Sequence, residues 1–87
     1  MQTAITPVQV WPATANTLYI RSIGLGPPPS YYYELQNVDQ DGTVAVLKNG
    51  NVNMTVEQWD AWPAGPEVGD DDYQLNAITS NLGLTRA

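Results

Sequence analysis

The apolar positions of this chain change period once, near Thr55. Before it they fall at every second residue, the repeat of a strand with one covered face; after it they fall three or four apart, the repeat of a helix. Residues 30–55 show the strand pattern best, with Tyr31, Tyr33 and Leu35 on one side of an extended chain and Tyr32, Glu34 and Gln36 on the other. Leu18 and Ile20 alternate with Tyr19, Arg21 and Ile23 in the same way, in a stretch rich in β-formers. Further upstream, Val8, Gln9, Val10 and Trp11 offer only a short extended piece, confined to an edge by Pro7 and Pro12.

The breaks between these stretches have their own chemistry. Gly24, Leu25 and Gly26 end one strand, and Pro27, Pro28 and Pro29 force a polyproline-type connection. A stiff connector is favoured there over a docking ligand, because no basic residue flanks the prolines. Asp39, Gln40, Asp41 and Gly42 form a turn whose glycine takes positive φ without steric penalty, and residues 43–47 return along the preceding strand. Asn49 followed by Gly50 is a strong two-residue hairpin signal. A glycine in mid-strand equally marks a bulge that bends one long strand, and the bulge is preferred.

From Thr55 onward the signals are helical. Thr55, Val56, Glu57 and Gln58 spell a capping box, predicting a short helix over 56–61 with Trp59 placed to staple onto Met54. Pro63 stops it, and residues 63–69 are loop by composition. Asp70, Asp71 and Asp72 supply an N-cap and favourable charge for a second helix over 73–82, where Leu75, Ile78 and Leu82 recur at helical spacing. Gly83 is the expected stop, with Leu84 folding back towards Ile78. Residues 85–87 are expected to be a free tail unless a neighbour holds them.

Together these elements predict an α+β fold, a small antiparallel sheet of three to four strands with two short C-terminal helices against one face. The 87 residues suffice for a single domain, divided into an extended N-terminal arm (1–12), antiparallel strands (13–55) and two helices (56–87). The stripe Leu75, Ile78 and Leu82 should pack on the sheet face that carries Leu18, Ile20 and one set of tyrosines.

Composition narrows the function. The net charge is −6, with nine acidic residues against three basic, which repels phosphate backbones and argues against nucleic acid. No apolar run is long enough to cross a bilayer, and the N-terminus lacks the basic start and apolar core of a signal peptide, so a soluble chain made in a cytoplasm is expected. There is no Cys for a disulfide or thiolate site and no His for a neutral-pH base.

Catalysis finds little support in such a set. Candidate hydroxyls have no His or Cys beside them, and Glu34, Glu57, Asp60 or Glu67 could be paired as acid and base only without any distinguishing context. Asp39, Asp41 and Gly42 lack the remaining ligand positions of a calcium loop and read as a turn. Asp70 to Asp72 could hold a hard cation weakly, but helix capping explains them more simply. The expectation is therefore no catalytic residue, no cofactor and no metal. The aromatic residues remain: three Trp and five Tyr, with no Phe. Three tyrosines in succession put rings on both sheet faces, more than so short a chain is expected to cover. Trp11, Pro27, Pro28, Pro29, Tyr31, Tyr32, Tyr33, Trp59 and Trp62 are thus the candidate interface, Trp and Tyr being dominant hot-spot residues. The same rings would suit a carbohydrate- or peptide-binding platform, and a plain core role competes for Trp59 and Tyr33.

Several segments also resemble a known class of protein. These are Thr6, Pro7, Val8, Gln9 and Val10 leading to Pro12, Ala13, Thr14, Ala15, Asn16 and Leu18; the run from Ser30 to Leu35; Gly50, Asn51, Val52, Met54, Thr55, Glu57, Gln58, Trp59, Ala61 and Trp62; and Asp72, Tyr73, Gln74 and Leu75 leading to Asn81, Leu82, Gly83, Leu84 and Thr85. Over nearly the whole chain this is similar to small virion-associated structural proteins of tailed bacteriophages. The resemblance implies a minor part of the particle, decorating the head or joining tail or baseplate pieces, present in many symmetric copies and bound to major capsid or tail proteins. It carries no catalytic residue across, and it implies one bent strand running through Gly50.

Overall fold

The computed structural model describes residues 1–10, 13–24, 28–62 and 71–87. Trp11, Pro12, Pro27, the 63–69 loop and the expected cap Asp70 lie outside the described residues. Four strands, β1 (Gln2–Val10), β2 (Ala13–Gly24), β3 (Ser30–Val38) and β4 (Val44–Asn53), pair in chain order as an antiparallel meander. Two helices follow, α1 (Val56–Asp60) and α2 (Asp71–Asn81). This is the α+β arrangement that the change of period predicts.

Register assigns the faces. Leu18, Ile20 and Ser22 pair with Leu35, Tyr33 and Tyr31, which pair in turn with Lys48, Gly50 and Val52. Most of this set forms the core with Leu75, Ile78, Met54 and Trp62, so the helices lie over the Tyr31 and Tyr33 side. Leu82 and Leu84 pack against the same cluster, half-buried. On the other face Thr17, Tyr19 and Arg21 pair with Gln36, Glu34 and Tyr32.

The N-terminal segment expected as an arm is a nine-residue strand on the sheet. Pro7 is tolerated because the ladder is interrupted there: Ala4 pairs with Thr17 and Val8 with Ala15, so three residues face the single Asn16. A proline in that excursion removes no ladder hydrogen bond, and it lets Ile5 turn inward, where it is fully buried. At the same point the C-terminal segment pairs with the outer edge of β1. Ile5 bridges to Arg86, the Thr6 N–H donates to the Thr85 carbonyl at 2.8 Å, and the Ala87 N–H donates to the Ala4 carbonyl at 3.0 Å. Arg86 also donates to Thr3 Oγ1 and Asn76 Oδ1 and pairs with Asp72 at 3.3 Å. Residues 85–87 are therefore a strap along β1, where the sequence suggests a free tail.

β4 runs unbroken through Gly50, but the extra residue lies elsewhere. Leu35 faces Lys48 and Gln36 faces Val46, which leaves Leu47 as the bulge. Gly50 has a different reason: it pairs with Tyr33, and a Cβ at this position would come 3.0 Å from the Tyr33 ring. The ring lies against the backbone of its neighbour, where any side chain would press on it.

The helices end as their residues dictate. Thr55 Oγ1 accepts the Gln58 N–H and Gln58 Oε1 accepts the Thr55 N–H, completing the capping box. Gly83, at φ 72°, closes α2: the Leu84 N–H donates to the Thr79 carbonyl and the Gly83 N–H to the Ser80 carbonyl, a Schellman ending.

Candidate interaction surface

The sequence-predicted interface residues do not form one surface. Tyr31, Tyr33 and Trp62 are buried at 1, 9 and 8 % exposure, on the helix side of the sheet or beneath it. Tyr31 donates to Gln74 Oε1 at 2.6 Å, and burial pushes its phenol up to about 12. Trp62 stacks on Tyr73 at 5.2 Å and meets the half-buried Trp59 edge-on at 6.1 Å. Pro29 is buried and its carbonyl accepts the Met54 N–H at 3.1 Å, while Pro28 is half-buried. These rings and prolines belong to the core or its margin. Trp11 and Pro27 are outside the described residues.

The expected surplus of aromatic surface is accordingly not found among the described residues. Total accessible surface is 5190 Å², against roughly 5,000 Å² for a folded monomer of this mass. Two helices thus cover the Tyr31 side, and Tyr19, Tyr32, Trp59 and Tyr73 are each half-buried.

Tyr32 is the candidate that does face outward, and it is held in a network. Its cross-strand partner Arg21 places its guanidinium 5.1 Å from the ring centroid. The Tyr32 hydroxyl donates to Glu34 Oε2 at 2.6 Å, and the Gln36 amide donates to Glu34 Oε1 at 2.8 Å. The bond to the Glu34 carboxylate favours the neutral phenol and raises the Tyr32 pKa; the donors Tyr32 and then Gln36 hold the Glu34 pKa below the usual carboxylate range. Each group thus holds its neighbour in one rotamer.

Aliphatic exposure is the feature that sequence reasoning missed. Val44 and Val46 are 51 and 49 % exposed and share the face that carries Tyr32, and Ile23 is 49 % exposed at the end of β2. The signal was present in residues 43–47, where Val44 and Val46 recur without an apolar partner assigned to them. The outer edge of β4 has no strand beside it among the described residues, whereas the outer edge of β1 carries the C-terminal strap. The last carbonyl of β4, that of Asn53, is covered by the Asn81 amide at 3.0 Å.

A cleft of about 140 Å³ lies between the end of β2 and the helices, lined by Ser22, Pro29, Tyr31, Trp59, Trp62 and Gln74. It has the size of a cavity that accepts a single benzene-sized ring and is smaller than sites that enclose a whole ligand, about 300 Å³ and upward. Asp71 and Asp72 stand exposed in the first turn of α2, and among the described residues no group of three His, Cys, Asp or Glu is placed to hold a metal. Also among the described residues, no helix is long and apolar enough to cross a membrane. In comparison with known proteins, no family model, no curated protein and no solved structure matches the chain.

Proposed function

We propose that this chain is a non-enzymatic structural subunit of a tailed-phage virion, joined to neighbouring protein subunits by the uncovered face and free edge of its sheet. The resemblance in sequence supplies the class of particle. The observation that carries the binding role is a four-stranded sheet with one face covered by helices, one edge strapped, and the remaining edge strand exposing Val44 and Val46. Unpaired strand edges recruit further strands, and the Arg21, Tyr32 and Glu34 network adds ordered polar contacts beside them. The partners are major capsid or tail components, in a symmetric arrangement.

Quantitative mass spectrometry of purified virions from cells producing the chain tests this directly. A fixed copy number is expected: hundreds place it on the head, while multiples of three or six near about a dozen place it on the tail. Its absence from particles would end the proposal. The second reading, a carbohydrate- or peptide-binding module, draws on the cleft lined by Tyr31, Trp59 and Trp62. Selective binding on a glycan array by the isolated chain, abolished by Trp59→Ala, would favour it instead.

A further inference from the structure

We infer that the free edge of β4 is occupied by a second copy of this chain, the two β4 strands pairing antiparallel about Ala45. The inference rests on the assembly role proposed above and names the partner. The two halves of the β4 edge differ. Residues 48–53 are defended: Lys48 puts a charge in mid-edge, the Leu47 bulge re-aims the strand, and Asn81 covers the Asn53 carbonyl. Charges and bulges are the devices by which edges resist pairing. Residues 43–46, before the bulge, have neither device, and the exposed Val44 and Val46 lie there.

Self-complementarity selects the register. With the two-fold axis at Ala45, Val44 of one copy faces Val46 of the other, twice, forming β-branched cross-strand pairs on one face. Lys48, one ladder step past Val46 because Leu47 is the bulge, then comes level with Thr43 of the second copy, beside the turn that carries Asp39 and Asp41. The Asp41 carboxylate is already oriented by the Thr43 N–H at 2.9 Å. β4 holds one cation and no carboxylate, so two chains of net charge −6 meet where repulsion between them is least. An axis at Lys48 would oppose two ammonium groups. One at Gly50 would align residues 48–52, setting Lys48 against Val52, and leave Val44 and Val46 uncovered.

A ladder of five residues spans about 17 Å and buries less than the roughly 1,200 Å² of a stable interface. Free chains should therefore pair only at high concentration, and copies held side by side in an assembly should pair readily.

The absence of native cysteine makes the test clean. Ala45 and Asn51 are both exposed on β4, so Ala45→Cys and Asn51→Cys should both fold. Only Ala45→Cys sets a residue opposite its own copy, at a Cα separation of about 4.5–5.5 Å that a disulfide accepts. Under mild oxidation Ala45→Cys should give a covalent species of twice 9.5 kDa at least about tenfold faster than Asn51→Cys, through the raised effective concentration of the paired thiols. Adding Lys48→Asp to Ala45→Cys should abolish the difference. Equal rates for the two cysteine variants would overturn the inference. So would an edge whose amides gain protection from hydrogen exchange only when other virion proteins are added, and that outcome would leave the virion role standing. Rapid cross-linking of a chain that never enters particles would do the reverse.

Discussion

Replacing Gly50 by Ala should destabilise this protein, although in most strands the same change stabilises. The new methyl group would sit 3.0 Å from the Tyr33 ring carbon Cε1 and 3.1 Å from its hydroxyl oxygen. An ordinary contact is about 3.5–4.0 Å, so the ring must give way by a few tenths of an ångström. Tyr33 is buried beside Ile20, and overpacking of this kind costs about 1–3 kcal/mol. Against it stands a gain of about 0.4–1 kcal/mol from restricting the unfolded chain. The net expectation is a loss of about 1–2 kcal/mol, or a fall in melting temperature of about 4–8 °C per kcal/mol for a domain of this size. A double-mutant cycle isolates the cause. In a Tyr33→Leu background the ring is gone, so Gly50→Ala should reverse sign and stabilise by about 0.4–1 kcal/mol. Urea unfolding of the four proteins, compared at their transition midpoints with a common slope, measures the coupling. If Gly50→Ala has the same effect with and without the Tyr33 ring, the account of this glycine is wrong.

Other perturbations follow from single contacts. The Asn16 amide donates to the Val38 carbonyl at 3.1 Å and accepts the Val38 N–H at 2.9 Å; Asn16→Asp sets a carboxylate against that carbonyl and should cost about 1–3 kcal/mol, with faster exchange of the Val38 amide. Gln58→Ala should cost more than the roughly 1 kcal/mol of an N-cap loss in Thr55→Ala, because Gln58 also exchanges hydrogen bonds with Asn81 across the two helices; thermal unfolding of both variants ranks them. The depressed Glu34 pKa contributes stability that is present above the unfolded carboxylate value, about 4.3, and lost as pH falls through the folded one. Glu34→Gln should flatten that acid limb in pH-dependent denaturation. Tyr31, raised to about 12, contributes stability that is complete below its unfolded value near 10 and lost as pH rises towards 12; Tyr31→Phe should remove this alkaline limb, and ultraviolet titration of the phenols should show one ionising late.

Local signals carried most of the fold. The Thr55 capping box, the Gly42 turn, the Gly83 stop and the alternation in residues 17–23 and 31–36 depend on neighbours in sequence, and each reads directly from residue type. What escaped depends on distant partners. Pro7 looks like a strand boundary until the excursion opposite Asn16 shows that no hydrogen bond is asked of it. Arg86 looks like part of a tail until β1 offers an unpaired stretch at Ile5. The interface suffered most, because a count of rings says how much apolar surface exists but not whether helices cover it. Tyr31, Tyr33 and Trp62 went inward, and the large apolar side chains left exposed on β4 were valines, which composition does not distinguish from core.

Within the triplet Tyr31 to Tyr33, sliding β3 by one residue would exchange Tyr31 and Tyr33 for Tyr32, another ring of the same kind. The rest of the strand resists it, because the same slide would expose Leu35 and turn the Glu34 carboxylate towards the core. That alignment is reinforced by the Asn16 amide clamped on Val38 at one end and by the close fit of the Tyr33 ring over Gly50 near the other. Loosening both at once should leave Leu35 and Glu34 alone to hold the register.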